Sequence, residues 1–370
     1  MSDDRAPNSQ ANRGRPAGRE RVAVVLFNLG GPDSEAAIRP FLLNLFRDPA
    51  IIRVPFLVRP ILARVITRAR LRPAIANYTL LGGRSPLLDL TRRQADALAG
   101  ALSEYDARCF VAMRYWHPFS EETVQAVRAF APDRVLLLPL YPQFSTTTTA
   151  SSLTAWREAA ARLGLAVSTT VLCCWREDAS YAASIAALLD RAYREARSAL
   201  PSDVPLRILF SAHGLPVRIV AAGDPYQFQV ERTVAAVLAA WGEKPDWRIS
   251  YQSRATPEEW LSPSTEAEIE RAAAERVALL VMPIAFVSEH SETLVELDVE
   301  YRGLAGRLGV SGYFRVPTPG DDPGFIAALA GLARRALRAG PGLCNAGGGA
   351  DCPARWRGCP FVARRVPADR

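Results

Sequence analysis

Continuous apolar runs that alternate with helix-like segments constrain the fold of this 370-residue chain more than any other feature. Five runs are strand-length, and their uninterrupted apolar character is typical of parallel strands covered on both faces. They are Val22–Leu26, Arg134–Leu140, Ala166–Leu172, Leu206–Phe210 and Val277–Val287. Segments with helical periodicity lie at Thr91–Tyr105, Thr123–Phe130, Tyr181–Ser198, Tyr226–Trp241 and Ser264–Arg276. The alternation predicts an α/β fold with doubly wound parallel sheets flanked by helices.

The chain length and a Pro- and Asp-rich junction, "LPSDVPL" at 200–206, predict two domains. We expect a disordered tail over residues 1–20 and a first domain over 21–180. A second domain is expected over 181–340, with its last helix packed back on the first, followed by an extension with cysteines over 341–370. The strand ends of both domains should face a shared cleft, where ligands bind in such folds.

Composition narrows the class of protein. Hydrophobic residues make up 49% and charged residues 22% of the chain, as in soluble proteins with a core. No apolar run reaches the ~18 residues that span a bilayer, and residues 1–20 lack the apolar core of a signal peptide. We therefore predict a cytoplasmic, reducing location, where the six cysteines are ligands or free thiols rather than disulfides. The net charge of +7 fits nucleic acid and an anionic membrane equally well by itself.

A helix with one sign of charge follows the last apolar run. Between residues 289 and 301 there are five acids, one histidine (His290) and no Lys or Arg: Glu289, Glu292, Glu296, Asp298 and Glu300. In an α-helix, the spacing of Glu292, Glu296 and Glu300 stacks them on one face, at a cost of roughly 0.2–0.5 kcal/mol per pair. Such a ladder at a strand end predicts a cation site or a path for protons. The alternative is a solvated acidic face.

Other chemistry-bearing residues also follow predicted strands. His213 lies in "SAHGLP" at 211–216, where imidazole suits proton transfer near neutral pH. The turn "NLGGPDS" at 28–34 lacks the spacing of a dinucleotide fingerprint and is better explained as a pocket lining. Arg114 and Tyr115 follow the strand candidate Cys109–Met113, and Arg114 could hold a carboxylate bidentately. A core aromatic cluster is the alternative for that segment.

Eight segments in one order resemble the ferrochelatases, which insert ferrous iron into protoporphyrin IX to make haem. They are "FNLGGPDS", "RYWHP", "LYPQFSTTTTASS", "FSAHGLP", "DPYQFQV", "YQSR", "EEWLSPST" and "PIAFVSEHSETLVELDVEY". The resemblance runs from about residue 22 to residue 340 and implies two Rossmann-like domains around a porphyrin cleft. It implies that His213 and Glu292 are the catalytic pair and contact Fe²⁺. Glu296, Asp298 and Glu300 would continue a path for protons or metal.

The resemblance also implies porphyrin contacts from Arg114, Tyr115, Ser85 and Pro86. His213 would accept pyrrole protons, and carboxylate with imidazole suits Fe²⁺ without trapping it as thiolates would. The side from which iron enters is open. So are a related tetrapyrrole such as coproporphyrin, another divalent metal, and a non-catalytic carrier of haem or iron, although retention of both His213 and Glu292 argues against a carrier. The assembly state is open as well, with a homodimer as the candidate.

A basic and apolar segment at 47–72 predicts contact with a membrane. It holds seven arginines, several large apolar side chains and a single acid, Asp48. Such a surface can insert apolar side chains into a bilayer while arginines meet anionic headgroups. The alternative is a buried helix with a basic face. In ferrochelatases the matching segment forms the lip of the active-site mouth, so we predict peripheral association with the inner membrane and no nucleic-acid partner.

The Gly- and Pro-rich tail carries a C-x7-C-x6-C array formed by Cys344, Cys352 and Cys359. It resembles the tail of ferrochelatases that carry a [2Fe–2S] cluster, which requires four ligands. Animal members supply the fourth from the segment that here reads "YPQFSTTTT" and contains no cysteine. Cys173 or Cys174 is the expected substitute, ahead of Cys109. Structural zinc and free thiols are the alternatives.

Overall fold

Two parallel β-sheets organise the chain in a computed structural model that describes residues 18–254, 256–345 and 352–365. The strands of the first sheet include four that precede residue 173: β1 (Arg21–Asn28), β2 (Asp106–Met113), β3 (Arg134–Pro139) and β4 (Ser168–Leu172). The second sheet contains β5 (Leu206–His213), β6 (Asp246–Gln252), β7 (Ala278–Pro283) and β8 (Tyr313–Arg315). The first sheet is completed by β9 (Gly342–Cys344), from the C-terminal extension.

The strand orders are β2-β1-β3-β4-β9 and β6-β5-β7-β8, and every paired strand is parallel. Helices flank both sheets: α1 (Glu35–Arg47), α2 (Arg59–Leu80), α3 (Leu87–Ala101), α4 (Ser120–Phe130), α5 (Thr149–Arg162), α6 (Ala179–Ala199), α7 (Val217–Ala221), α8 (Tyr226–Trp241), α9 (Thr265–Glu275), α10 (Arg302–Leu308), α11 (Pro323–Ala339) and α12 (Pro360–Arg365). The predicted α/β architecture with two parallel sheets is confirmed.

One large apolar cluster extends across the two sheets. Val24 of β1, Ile208 of β5 and Phe325 of α11 are fully buried in the same cluster. α11 packs against α3 and α6, so the last long helix ties the second half of the chain to the first. This packing holds the carboxyl ends of the two sheets in a fixed relation to each other.

The structure corrects the predicted elements at several points. The strand predicted over Val277–Val287 ends at Pro283, and the remainder of that run is a loop. The acidic helix is a π-helix over Glu292–Tyr301, in which hydrogen bonds join residues five apart, rather than an α-helix. The predicted α-helical geometry of Glu292, Glu296 and Glu300 is therefore wrong, and the three side chains differ in exposure. Glu300 is exposed, whereas Glu292 and Glu296 are partly buried.

Two predictions fall partly outside the described residues. Most of the expected disordered tail, residues 1–17, lies outside them, as do residues 346–351 and 366–370 of the extension. Among the helices of the described ranges, none combines the length and the apolar character that crossing a bilayer requires.

Candidate active site

His213 and Glu292 meet at the carboxyl edge of the second sheet. His213 is the last residue of β5, and Glu292 is the first residue of the π-helix that follows β7. His213 Nδ1 lies 3.1 Å from Glu292 Oε2, and His290 Nε2 lies 3.6 Å from the same oxygen. Two residues that are 79 positions apart in the sequence therefore meet at the strand ends. His290 was noted in the sequence without a role.

The two charges shift each other's protonation. Burial lowers the pKa of His213, but the Glu292 carboxylate outweighs burial and the net pKa is raised. Burial favours the neutral form of Glu292, yet His213 and His290 hold the pKa of that carboxyl far below its ordinary value. The pair is therefore an imidazolium–carboxylate pair over a wider pH range than free imidazole would allow.

We expect kcat/KM to increase as pH rises through the raised pKa of His213, because a general base must first be neutral. The contribution of His213 to the stability of the fold has the opposite dependence on pH. It is fully present below the ordinary value of about 6.5 and is lost as pH rises through the folded-state pKa. In Glu292→Gln, the ascending limb of the residual pH–rate profile should move to lower pH. A limb that stays in place would contradict this coupling.

Glu296 sits in a polar nest next to the pair. Its carboxylate accepts hydrogen bonds from the Ser253 amide (2.8 Å), the Ser253 hydroxyl (2.5 Å) and Gln252 Nε2 (3.0 Å), and Tyr301 OH lies 2.9 Å away. Ser253 adopts a φ of +68°, a left-handed conformation that brings amide and hydroxyl to the same carboxylate. Burial, followed by the charge of Glu292, raises the pKa of Glu296. Gln252 and Ser253 belong to the "YQSR" motif, for whose individual residues no role was predicted.

The remaining acids of the segment pair with Arg315 or are exposed. Asp298 accepts two hydrogen bonds of 2.7 Å from the Arg315 guanidinium, in a bidentate pair. The same guanidinium donates to Glu289 at 2.9 Å. The structure therefore does not bring Asp298 or the exposed Glu300 to His213.

Arg114 and Tyr115 share a buried carboxylate. Asp48 Oδ2 lies 2.8 Å from Arg114 Nη2 and accepts a 2.9 Å hydrogen bond from Tyr115 OH and a 2.5 Å one from Ser151. Tyr115 is buried, whereas the Arg114 side chain stays 24% exposed. Asp48 thus holds Arg114 in place while about a quarter of the Arg114 side chain remains exposed. The sequence reasoning missed this role, although Asp48 was the lone acid among seven arginines.

Ser85 and Pro86 lie at the start of α3, against the "NLGGPDS" turn. The Ser85 amide donates to Pro32 O at 2.7 Å, and Pro86 precedes the first helical residue. A Cβ placed on Gly31 would come within 2.5 Å of Ser85 Oγ, so this turn requires glycine for close approach. The predicted pocket segment is therefore packed against the predicted pocket turn.

Cysteines from distant parts of the sequence lie close together at the end of the first sheet. β9 pairs with β4 so that Cys344 is opposite Leu172, and the Cys173 amide donates to Cys344 O at 2.9 Å. The sulfurs of Cys173 and Cys174 are 3.4 Å apart. Cys352 and Cys359 are both buried in an adjoining cluster.

Phe361 packs against both groups of thiols, and Arg176 Nη1 donates to Cys174 Sγ at 3.4 Å. The hydrogen bond with Cys173 lowers the pKa of Cys174, burial opposes this effect, and Arg176 adds to it, so the net pKa is lowered. The hydrogen bond with Cys352 lowers the pKa of Cys359 to about 6. Thiolate is the ligand form of cysteine, so this neighbourhood suits a metal centre by donor type.

Two observations concern the geometry of this cysteine site and which cysteines belong to it. Within residues 18–254, 256–345 and 352–365, no group of three or more His, Cys, Asp or Glu side chains has a metal-holding arrangement. Cys109 lies on β2, at the opposite edge of the first sheet from β9, and burial raises its pKa to about 12. The structure thus removes Cys109 as an alternative ligand.

Comparison with known proteins places the chain in a family. The family model described as ferrochelatase matches residues 21–337. The ferrochelatase of Caulobacter vibrioides strain NA1000 is 50% identical over 345 residues, which cover 92% of this chain and 97% of that protein. The ferrochelatase of Phenylobacterium zucineum is 52% identical over 339 residues, covering 89% and 97%. The SirB structure from Bacillus subtilis with Fe³⁺ aligns at a TM-score of 0.48 and 11% identity, covering 85% and 95%. The chain therefore belongs to the ferrochelatase family.

Proposed function

We propose that this chain inserts Fe²⁺ into protoporphyrin IX, forming protohaem and releasing two protons. The observation that carries the proposal is the 3.1 Å contact between His213 and Glu292 at the strand ends. Insertion exchanges the two pyrrole N–H bonds for iron–nitrogen bonds, so a base and a cation-binding oxygen have to act at one place. Imidazole and carboxylate meet both requirements and release iron more readily than thiolates.

In this mechanism His213 accepts a pyrrole proton, and Glu292 stabilises the imidazolium that forms. Glu292 and His213 also offer the oxygen and nitrogen that first hold Fe²⁺. Glu296 then accepts the protons, because its partial burial raises the pKa of its carboxyl group. Asp298 and Glu300 remain predicted members of the path without a contact in support.

On the porphyrin side, the partly exposed Arg114 side chain is the candidate partner for a porphyrin carboxylate. Tyr115 acts through Arg114, since its hydroxyl binds Asp48 and its ring lies under the guanidinium at 5.1 Å. Ser85 and Pro86 form part of the pocket wall.

Rates with protoporphyrin IX and coproporphyrin III, each with Fe²⁺ and with Zn²⁺, test which substrate the chain uses. A higher kcat/KM for coproporphyrin III would replace the protoporphyrin assignment.

Peripheral membrane binding through the segment at 47–72 is part of the proposal. Large apolar side chains of the segment point into solvent: Phe56 is 75%, Leu57 80% and Ile61 64% exposed. Their exposure disfavours the alternative of a buried helix with a basic face. A poorly soluble porphyrin could then enter the cleft from the bilayer without crossing water.

We expect a Phe56→Ser, Leu57→Ser variant to bind anionic phospholipid vesicles about tenfold or more weakly, because both side chains bury apolar area in the bilayer. Vesicle co-sedimentation measures the effect. Leu308→Ser is the matched control, since Leu308 is 41% exposed but lies on α10. Equal binding of all three proteins would remove this segment as the membrane contact.

The cysteines support a [2Fe–2S] cluster held by Cys344, Cys352, Cys359 and Cys174. We favour Cys174 over Cys173 because the Arg176 guanidinium donates to the Cys174 sulfur and would stabilise its thiolate. When bound, the cluster would link the C-terminal extension to the first sheet. The insertion reaction transfers no electrons, so the cluster's role would be structural or sensory.

A further inference from the structure

A chain of hydrogen-bonding groups leads from Glu296 to the surface of the second sheet. Tyr301, the last residue of the π-helix, places its hydroxyl 2.9 Å from Glu296 Oε1 and 3.0 Å from Glu266 Oε1. The Tyr301 ring is fixed in an apolar cluster with Leu209 and Ile269. Glu266 lies in the first turn of α9 and is a half-buried residue.

If Glu296 and Glu266 are both ionised, this trio has fewer hydrogens to donate than oxygens that need to accept one. A phenol has one hydrogen to donate, yet two carboxylate oxygens lie within hydrogen-bonding distance of it. Glu296 already accepts from three other donors, on Ser253 and Gln252. Glu266 Oε2 is buried and has no hydrogen-bonding partner among the residues that the structure describes. An unpaired anionic oxygen in such a place is costly, and one additional proton removes the conflict.

Two arrangements satisfy the trio with that proton. In the first, Glu296 is protonated and donates to Tyr301, which donates to Glu266. In the second, Tyr301 donates to Glu296, and Glu266 is protonated and donates to Tyr301. Passing from the first to the second breaks the O–H bonds of Glu296 and Tyr301 and forms those of Tyr301 and Glu266. The net change is one proton moved from Glu296 to Glu266.

We propose that Glu296, Tyr301 and Glu266 form a proton relay that carries pyrrole protons from the active site to the half-buried Glu266 on α9. The relay rests on the proposed function, because the reaction supplies the protons. It differs from the predicted route through Asp298 and Glu300. Asp298 is occupied by Arg315. Burial and the two carboxyl groups raise the pKa of Tyr301, so the hydroxyl passes a proton on without dwelling as phenolate.

Infrared spectra of the purified protein without porphyrin or iron test the shared proton independently of turnover. At neutral pH the native chain should show the band of a neutral carboxylic acid that shifts in D₂O. Glu266→Gln should lose that band, because the amide can donate to Tyr301 in its place. Glu270→Gln, at an exposed acid of the same helix, should keep it. A band that persists unchanged in Glu266→Gln would overturn the shared proton.

Turnover tests the transfer. Tyr301→Phe and Glu266→Gln should each lower kcat about tenfold or more, with little change in the porphyrin KM. Added imidazole buffer should restore part of the rate, which it would not do for a structural defect. Tyr313→Phe is the control, since the Tyr313 hydroxyl donates to Leu297 O rather than to a carboxylate among the described residues. Native kcat in both relay variants would overturn the proposal, and Glu266→Gln alone decides if Tyr301→Phe does not fold.

Discussion

Replacing His213 by alanine is expected to lower kcat for haem formation by about 10²–10⁴-fold, because the variant lacks the base that accepts the pyrrole protons. Glu292 would also lose its 3.1 Å partner, and its carboxyl group should then protonate at higher pH. Porphyrin binding should persist, since the proposed contacts from Arg114 lie on the other sheet. Steady-state kinetics with Fe²⁺, together with porphyrin fluorescence titration, measure both quantities.

His117→Ala is the matched control for that variant. His117 is 51% exposed and pairs with Glu122 rather than with any residue of the site. It should keep the native kcat. If His213→Ala retained native turnover, His213 could not be the base. If His213→Ala lost porphyrin binding together with turnover, porphyrin binding by Arg114 and proton transfer by His213 would not be separate functions as proposed.

The second large effect concerns the cysteine site. Cys359→Ser should abolish the visible absorbance, iron and acid-labile sulfide of the anaerobically purified protein, because a cluster needs all four ligands. The melting temperature should fall by roughly 5 °C or more, since a group bound only by the folded chain stabilises it. Cys174→Ser should have the same effects.

Cys109→Ser and Cys173→Ser separate cluster loss from damage to packing. Cys109 is far across the first sheet and should leave cluster and stability unchanged. Cys173→Ser should retain the cluster if Cys174 is the ligand. Retention in Cys174→Ser with loss in Cys173→Ser would exchange their roles. An iron-free native preparation would contradict the cluster itself.

The sequence predicted the centre of the site because two strong local signals coincided there. Continuous apolar runs located β5 and β7, and parallel strands bring their carboxyl ends to one edge. His213 and Glu292 follow those strands directly or after a short loop. Their contact therefore needed no knowledge of the surrounding side chains.

Elements with mixed composition were harder to predict. β6 reads "DWRISYQ", in which polar and apolar residues alternate, so a search for continuous apolar runs does not select it, although it pairs with β5 along its whole length. β9 has three residues in a Gly- and Pro-rich tail and exists through its pairing with β4, more than 170 positions away. Such pairing is a tertiary effect that local periodicity does not carry.

The acidic segment shows the same limit in side-chain detail. Its charge pattern predicted one ladder, but Arg315 pairs with Glu289 and Asp298, and Glu300 is exposed. Arg315 is 10% exposed and lies on β8, a strand too short to recognise from the sequence. The charge pattern does not distinguish Tyr301, whose contacts with Glu296 and Glu266 arise only in the folded chain.

An anaerobic assay of the purified chain with protoporphyrin IX and Fe²⁺, followed by haem absorbance, tests the central claim most directly. The account predicts haem formation well above the rate without protein, and a rate close to that background for His213→Ala. Haem formation by the native chain at the background rate would contradict the account.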